Sequence, residues 1–282
     1  MGSPLSPEMA SILADSAYAT LGSPSPAMDA AREAGGSNSA FDVGQSSVFT
    51  GVSGFGQRSN FGYCAFGKTR QRKDECLISV RGTSLFSDWL TDARLSGARG
   101  PNGYMVHKGF SNLNKVILPQ VKLALKNKNP TAIHIVGHSL GGAVATLLAD
   151  SLKDYTKLYL YTFGAPRAGS IEHATYLTHK LGAQNIYRVY HDTDPVPMVP
   201  IFPYGHCAAG EQGYLLKGTG MVISPGSHSM SLYKSNAKAS WNAMQTVAHR
   251  RFSLETVDEV LQQASGIPGG YLSSLLMRLI VK

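Results

Sequence analysis

Apolar residues at Met9, Ile12, Leu13, Ala17 and Leu21 recur at the spacing of one helix face and predict a first helix over residues 8–21. From residue 22 to about residue 60 the chain turns to Gly, Ser, Pro and Ala, which predicts a long irregular segment. Two apolar runs, 61–66 and 76–80, predict strands joined by a polar turn. Helical and strand patterns then alternate: a helix over 111–127 that Pro119 should kink or begin, a strand at 132–136, a helix at 140–152, a strand at 158–163, a helix at 170–181 and a strand at 186–190. This alternation implies an α/β fold with a mostly parallel central sheet flanked by helices. Further helices are expected at 228–236, 242–249 and 254–263, and the apolar tail 271–281 with its cationic end is read as a docked terminal helix, with a membrane-surface anchor as the alternative. The predicted organisation is a segment 1–60 packed on a single domain spanning 61–282.

Composition narrows the classes. The chain has 282 residues, 43% hydrophobic and 16% charged, and no apolar run approaches the roughly 20 residues that span a bilayer. Three scattered cysteines, Cys64, Cys76 and Cys207, suit neither a disulfide framework nor a metal site. The opening Met1–Glu8 stretch lacks a basic region followed by an apolar core, so no Sec signal is expected. A cytoplasmic origin follows as the expectation, with export by a signal-independent route left open. The balance of 26 Lys+Arg against 18 Asp+Glu gives +8 and favours anionic partners. Its one dense cluster, Lys68, Arg70, Arg72 and Lys73, reads as a solvated hairpin tip, and nucleic acid is not expected as a partner. Residues 62–69 have the letters of a phosphate loop, but their strand-like middle and the turn after them do not supply the required helix.

The chemistry concentrates at Gly137-His-Ser-Leu-Gly141, a G-x-S-x-G sequence between a β-branched strand and an Ala/Leu-rich helix. Such a nucleophile elbow needs a strand entering a sharp turn and a helix leaving it, which would raise Ser139 to an exposed position. Serine is a poor nucleophile unless a base takes its proton and a third group orients that base. In chain order the acid and then the histidine should follow the serine. Asp150 and Asp154 fall on or near the helix after the elbow, whereas Asp192 and Asp194 follow a strand, where loops converge on ligands. The later histidines are His206, His228 and His249.

Ile135-Val-Gly-His-Ser-Leu-Gly-Gly-Ala-Val-Ala-Thr-Leu-Leu-Ala149 resembles the nucleophile region of the class 3 (fungal-type) lipases, a family of the α/β-hydrolase fold. Arg81-Gly-Thr-Ser-Leu-Phe-Ser-Asp-Trp-Leu90, Val106-His-Lys-Gly-Phe110, Thr162-Phe-Gly-Ala-Pro-Arg167, Asp192-Thr-Asp-Pro-Val-Pro197 and His228-Ser-Met-Ser-Leu-Tyr233 match the same family in the same order. The resemblance covers roughly residues 60–235 and implies Asp194 as the acid and His228 as the base. It also implies Thr83 as an oxyanion donor beside the backbone N–H of Leu140, which the elbow itself supplies. Residues 85–90 occupy the family's lid position, where Phe86, Trp89 and Leu90 offer an apolar face to a lipid chain or to the core. His107 matches a structural position, and His134 reads as a hydrogen-bonded core histidine.

Taken together, these features describe a serine hydrolase of acyl glycerolipids that requires no metal and no organic cofactor. The positive charge leans towards phospholipid at a membrane surface. A lipase-like chain without a leader resembles the bacterial phospholipase effectors delivered by type VI secretion, which implies an immunity protein and a secretion-spike partner. The alternatives are a cytoplasmic carboxylesterase or triacylglycerol lipase, and a silent binding module on the same fold.

Overall fold

The computed structural model describes residues 2–21, 40–52, 58–83, 96–201, 203–207, 213–216 and 223–244. In chain order the strands are β1 (Ser47–Val52), β2 (Arg58–Phe66), β3 (Glu75–Val80), β4 (Gly97–Arg99), β5 (Met105–His107), β6 (Ala132–His138), β7 (Lys157–Phe163), β8 (Gly169–Ser170), β9 (Ile186–His191), β10 (Tyr204–Gly205) and β11 (Gly213–Leu216). The helices are α1 (Pro7–Ser16), α2 (Lys108–Leu125), α3 (Leu140–Leu152), α4 (Ile171–Leu181) and α5 (Met230–Met244). The main sheet has the order β1-β2-β3-β6-β7-β9-β11, antiparallel as far as β3 and parallel from β3 to β11. A small antiparallel sheet, β10-β8-β5-β4, lies apart from it.

Alternation along the strands sorts the core into two layers, because successive side chains point to opposite faces. Cys76, Ile78, Val80, Ile133, Ile135, Leu158 and Leu160 pack with α2, α3 and α4. Leu77, Val136, Tyr159, Tyr161 and Phe163 pack with α1 and with Met230 and Tyr233 of α5. Both faces are covered, so the central strands read as continuous apolar runs, as parallel sheets usually do.

The structure departs from the periodicity in four places. The helix expected over 8–21 ends at Ser16 and continues as a 3₁₀ turn, Ala17–Leu21. Residues 47–52, within the segment expected to be irregular, form β1. Its register with β2 shifts between Phe49 and Thr50, and the Gln120 amide donates to the Thr50 carbonyl (2.8 Å) and accepts from its N–H (3.0 Å), covering the edge. Helix α2 begins at Lys108 and runs through Pro119, because Phe110, Leu113, Ile117, Val121 and Leu125 make one continuous buried face across the proline. Where helices are expected at 228–236 and 242–249, a 3₁₀ turn, Pro225–His228, precedes one helix, α5, that runs unbroken to Met244; residues 245–249 lie outside the described residues. The predicted helix 254–263 and the tail 271–281 lie outside the described residues. The short strands β4, β5, β8, β10 and β11 have two to four residues, too few for a period to register.

A polar cluster beneath α1 fastens the start of the chain. Arg72, from the basic hairpin, donates to the carbonyls of Ser3 and Pro4 and pairs with Glu75 at 2.8 Å. The other neighbour of Glu75 is His134 Nε2, also at 2.8 Å, while Leu5 N–H donates to the Tyr161 hydroxyl at 2.7 Å. Hence Arg72 is a strut and not merely a solvated tip, and His134 is the core histidine the sequence suggested. Burial pushes the Glu75 carboxyl up, but the hydrogen bonds from His134 and Arg72 outweigh it and hold it below its ordinary value. A carboxyl depressed in this way stabilises the fold above about pH 4.3 and loses that contribution as the pH falls through its lower folded value. Replacing Glu75 by Gln should cost on the order of 1–3 kcal/mol at neutral pH. The gap to wild type, read from urea midpoints, should shrink between about pH 5 and about pH 3.

Candidate active site

Three parallel strands deliver their following loops to one edge of the sheet: β3 leads to Thr83, β6 to Ser139 and β9 to Asp194. Ser139 stands between β6 and α3 at φ 57° and ψ −134°, a conformation an L-residue adopts only under constraint. Its N–H donates to the Phe163 carbonyl (2.9 Å) and its carbonyl accepts from Gly142 N–H (2.8 Å), which pins the turn on both sides. A Cβ on Gly141 would lie 2.3 Å from the Val80 carbonyl oxygen, so only glycine lets α3 leave so close to β3.

His228 Nε2 is 2.8 Å from Ser139 Oγ, and His228 Nδ1 is 2.8 Å from Asp194 Oδ2. Nδ1 faces a carboxylate and therefore carries the proton, leaving Nε2 to accept from the serine hydroxyl. The 3₁₀ turn that presents His228 is docked on the loop after β9. Thr193 and Ser227 hydroxyls meet at 2.6 Å, Ser224 N–H donates to the Thr193 carbonyl, and His191 Nδ1 binds the Ser227 carbonyl. The structure thus brings Ser139, Asp194 and His228 together. Asp192 is exposed in the turn, and Asp150 is buried against His173 Nε2 at 3.2 Å. His206 binds the Pro197 carbonyl at 2.8 Å, and His249 lies outside the described residues.

Asp194 has no exposed surface, and a carboxylate there needs every oxygen supplied with donors. Val196 N–H donates to Oδ1 at 2.9 Å, and the Tyr233 hydroxyl donates to Oδ2 at 2.6 Å beside His228. Burial and the nearby Asp194 charge push the Tyr233 hydroxyl well above its ordinary pKa, so it remains a donor. Tyr233 also accepts from His191 N–H at 3.0 Å. Gly164, at φ 53°, makes the approach possible: a Cβ there would meet Asp194 Oδ2 at 2.7 Å and the tyrosine oxygen at 2.9 Å. The chain pattern shows Tyr233 only as an apolar position five residues after His228, and nothing in it distinguishes a carboxylate donor from a core aromatic.

His228 borders a cleft of about 400 Å³ whose lining also includes Tyr18, Thr83, His138 and Met230, whereas Ser139 itself is buried behind it and not exposed as the elbow predicts. Leu140 is the first residue of α3, where the N–H has no partner within its helix. Phe86, Trp89 and Leu90 lie outside the described residues. His107 is buried at the start of α2 and its ring packs on Phe110 at 4.5 Å, away from the triad. Residues 62–69 form the end of β2 and a turn leading to β3 without an intervening helix, which is not a phosphate loop.

A serine–histidine–aspartate constellation at the carboxyl edge of a mostly parallel sheet is the arrangement of the α/β-hydrolases. Residues 77–204 match the family model Lipase (class 3). The chain is 37% identical over 175 residues to secreted mono- and diacylglycerol lipase 1 of Fusarium solani, covering 58% of this chain and 51% of the relative. It is 30% identical over 156 residues to secreted mono- and diacylglycerol lipase A of Penicillium cyclopium, covering 52% and 50%. The chain therefore spans about half the length of these relatives. Among solved structures, nonglycosylated Lip2 lipase of Yarrowia lipolytica shares the fold with a TM-score of 0.59 at 20% identity, covering 82% of this chain and 89% of that one. A mutant MDLA from Penicillium cyclopium does so at 0.57 and 23%, covering 77% and 81%.

These relatives are named secreted lipases, which overturns the expectation of a cytoplasmic protein. That expectation leaned on the opening stretch and on the few cysteines, but Cys64, Cys76 and Cys207 are buried, and burial raises all three thiols, Cys64 and Cys207 to about 12. Such thiols are inert in either redox environment and report nothing of the compartment.

Tyr233→Phe removes one of two donors to Asp194 Oδ2. It should lower stability by about 1.5–3 kcal/mol, measured by urea unfolding, without altering the circular dichroism of the folded protein. A variant as stable as wild type would show that Asp194 does not depend on that hydroxyl.

Proposed function

We propose that the protein is a serine lipase that hydrolyses carboxylic esters of acylglycerols through an acyl-enzyme. The observation that carries this reading is the pair of 2.8 Å contacts linking Ser139, His228 and Asp194 in one line. Ser139 Oγ attacks the ester carbonyl carbon while His228 Nε2 takes its proton. Asp194 stabilises the imidazolium that results. The carbonyl oxygen becomes an oxyanion that accepts hydrogen bonds from Leu140 N–H and Thr83, each such donor being worth about 3 kcal/mol. Collapse expels the alcohol, which leaves with the proton from His228. Water then repeats the sequence on the acyl-enzyme, releasing the fatty acid and restoring Ser139.

Neutral mono- and diacylglycerols suit the site better than anionic phospholipid. The basic hairpin precedes β3 whereas Thr83 follows it, so the six residues of β3 put about 20 Å between cluster and site. That exceeds the Debye length of about 8 Å in physiological salt, and Arg72 is already engaged with the chain start. The relatives' names agree with neutral glycerides, and they also support a secreted protein. With the cytoplasmic origin overturned, nothing favours an antibacterial effector with immunity and spike partners. A silent binding module is disfavoured by the intact hydrogen-bonded line.

Ser139→Ala should abolish fatty-acid release from diacylglycerol emulsions, a loss of at least about 10⁴-fold, and should abolish labelling by a fluorophosphonate probe. Faster wild-type turnover of phosphatidylglycerol liposomes than of diacylglycerol would reverse the substrate assignment. Absence of both turnover and labelling in the wild type would establish the binding module instead.

A further inference from the structure

We infer that Tyr18 is a positioning residue of this site, one hydroxyl that ties the oxyanion strand end to the backbone of the histidine; this rests on the hydrolase reading above. Tyr18 belongs to the 3₁₀ turn Ala17–Leu21 after α1, outside the residues that match the lipase family model. Its hydroxyl oxygen accepts from Gly82 N–H at 3.1 Å, the residue before Thr83. The same hydroxyl lies 2.6 Å from His138 Nδ1, and His138 Nε2 lies 2.9 Å from the His228 carbonyl oxygen.

The proton assignment along this line has one solution. A carbonyl can only accept, so His138 carries its proton on Nε2 and donates to His228. Nδ1 is then an acceptor, and the single proton of Tyr18 points to it. The hydroxyl oxygen keeps a lone pair for Gly82 N–H. Burial keeps both groups neutral, raising the Tyr18 hydroxyl and lowering His138 well below its ordinary value. With its one proton committed to His138, Tyr18 is not a spare oxyanion donor, and its effect passes through Gly82 and His138. The His138 ring stacks on the His228 ring at 4.8 Å, so a displaced His138 moves the base through its ring as well as its carbonyl.

The turn that carries Tyr18 is itself held rigidly. Asn60 Nδ2 donates to the Thr20 carbonyl at 2.8 Å, the Ser16 and Tyr63 hydroxyls meet at 2.6 Å, and Lys234 of α5 pairs with Asp15. The N-terminal segment thereby links the two halves of the machinery, the oxyanion loop and the base, that the strands deliver separately. A displacement of about 1 Å at either can cost on the order of 10²-fold in rate.

The test compares two tyrosine-to-phenylalanine variants of the full chain. Tyr18→Phe removes the bridge. Tyr63→Phe removes a buried hydroxyl that holds the same segment but lies outside the line from Gly82 to His228. With p-nitrophenyl butyrate and active-site titration, Tyr18→Phe should lower kcat by at least about tenfold, with KM within about twofold. The expectation for Tyr63→Phe is a lower melting temperature and a kcat within about twofold of wild type. Wild-type kcat in Tyr18→Phe, failure of that variant alone to fold, or loss of kcat in both variants in step with stability would overturn the inference. An inactive wild type unlabelled at Ser139 would sink the hydrolase reading and this inference with it. An active wild type with an unaffected Tyr18→Phe sinks the inference alone.

Discussion

Ser139 sits at a positive φ that costs a non-glycine residue on the order of 1–3 kcal/mol, and the surroundings have to hold it there. The hold comes from the sheet. Ser139 N–H extends the pairing of β6 and β7 by bonding to the Phe163 carbonyl, and α3 starts at once behind it against the end of β3. Were the turn to relax, the hydroxyl would leave the line to His228, and the two loops that meet it would have nothing to converge on. Of the small residues around it, Gly137 and Gly141 let backbone approach backbone, and Gly142 makes room for the Ala165 side chain.

A second constraint is charge. A fully buried carboxylate is tolerable only when its oxygens are satisfied, and Asp194 receives Val196 N–H, the Tyr233 hydroxyl and His228 Nδ1. The neighbouring histidines, His138 and His191, are kept neutral chiefly by burial, so neither competes with His228 for the role of cation. Each of these rings spends a hydrogen bond on the turn that carries His228: His191 at the Ser227 carbonyl, His138 at that of His228. Rigidity of the base therefore derives from aromatic side chains that never meet the reacting atoms.

Much of the fold was legible because its signals are local. The helix 140–152 and the strands 158–163 and 186–190 appear within a residue of their predicted limits, since apolar periodicity over ten residues records which faces are buried. Strand β1 was not legible, because Ser47-Val-Phe-Thr-Gly-Val52 becomes a strand only by pairing with β2 and by the cover of Gln120. The break expected between two C-terminal helices also disappears: α5 runs unbroken from Met230 to Met244, and its Met230 and Tyr233 pack with α1 and the sheet.

The elbow is the best case of local determination. Strand, glycine turn, serine and helix are consecutive in the chain, so Gly137-His-Ser-Leu-Gly141 determines its own backbone and places a nucleophile before any partner is known. Separating Asp194 from Asp192 needed the family resemblance in the chain and burial in the structure, where one is enclosed and the other exposed. Tyr233 and Tyr18 belong to tertiary structure alone. Each lies far in the chain from the group it serves, 39 residues for Tyr233 and Asp194, and 120 for Tyr18 and His138. A tyrosine in an apolar pattern is written the same way whether its hydroxyl meets water or a buried partner. Only the packing of α1 and α5 on one face of the sheet decides which atom that hydroxyl meets.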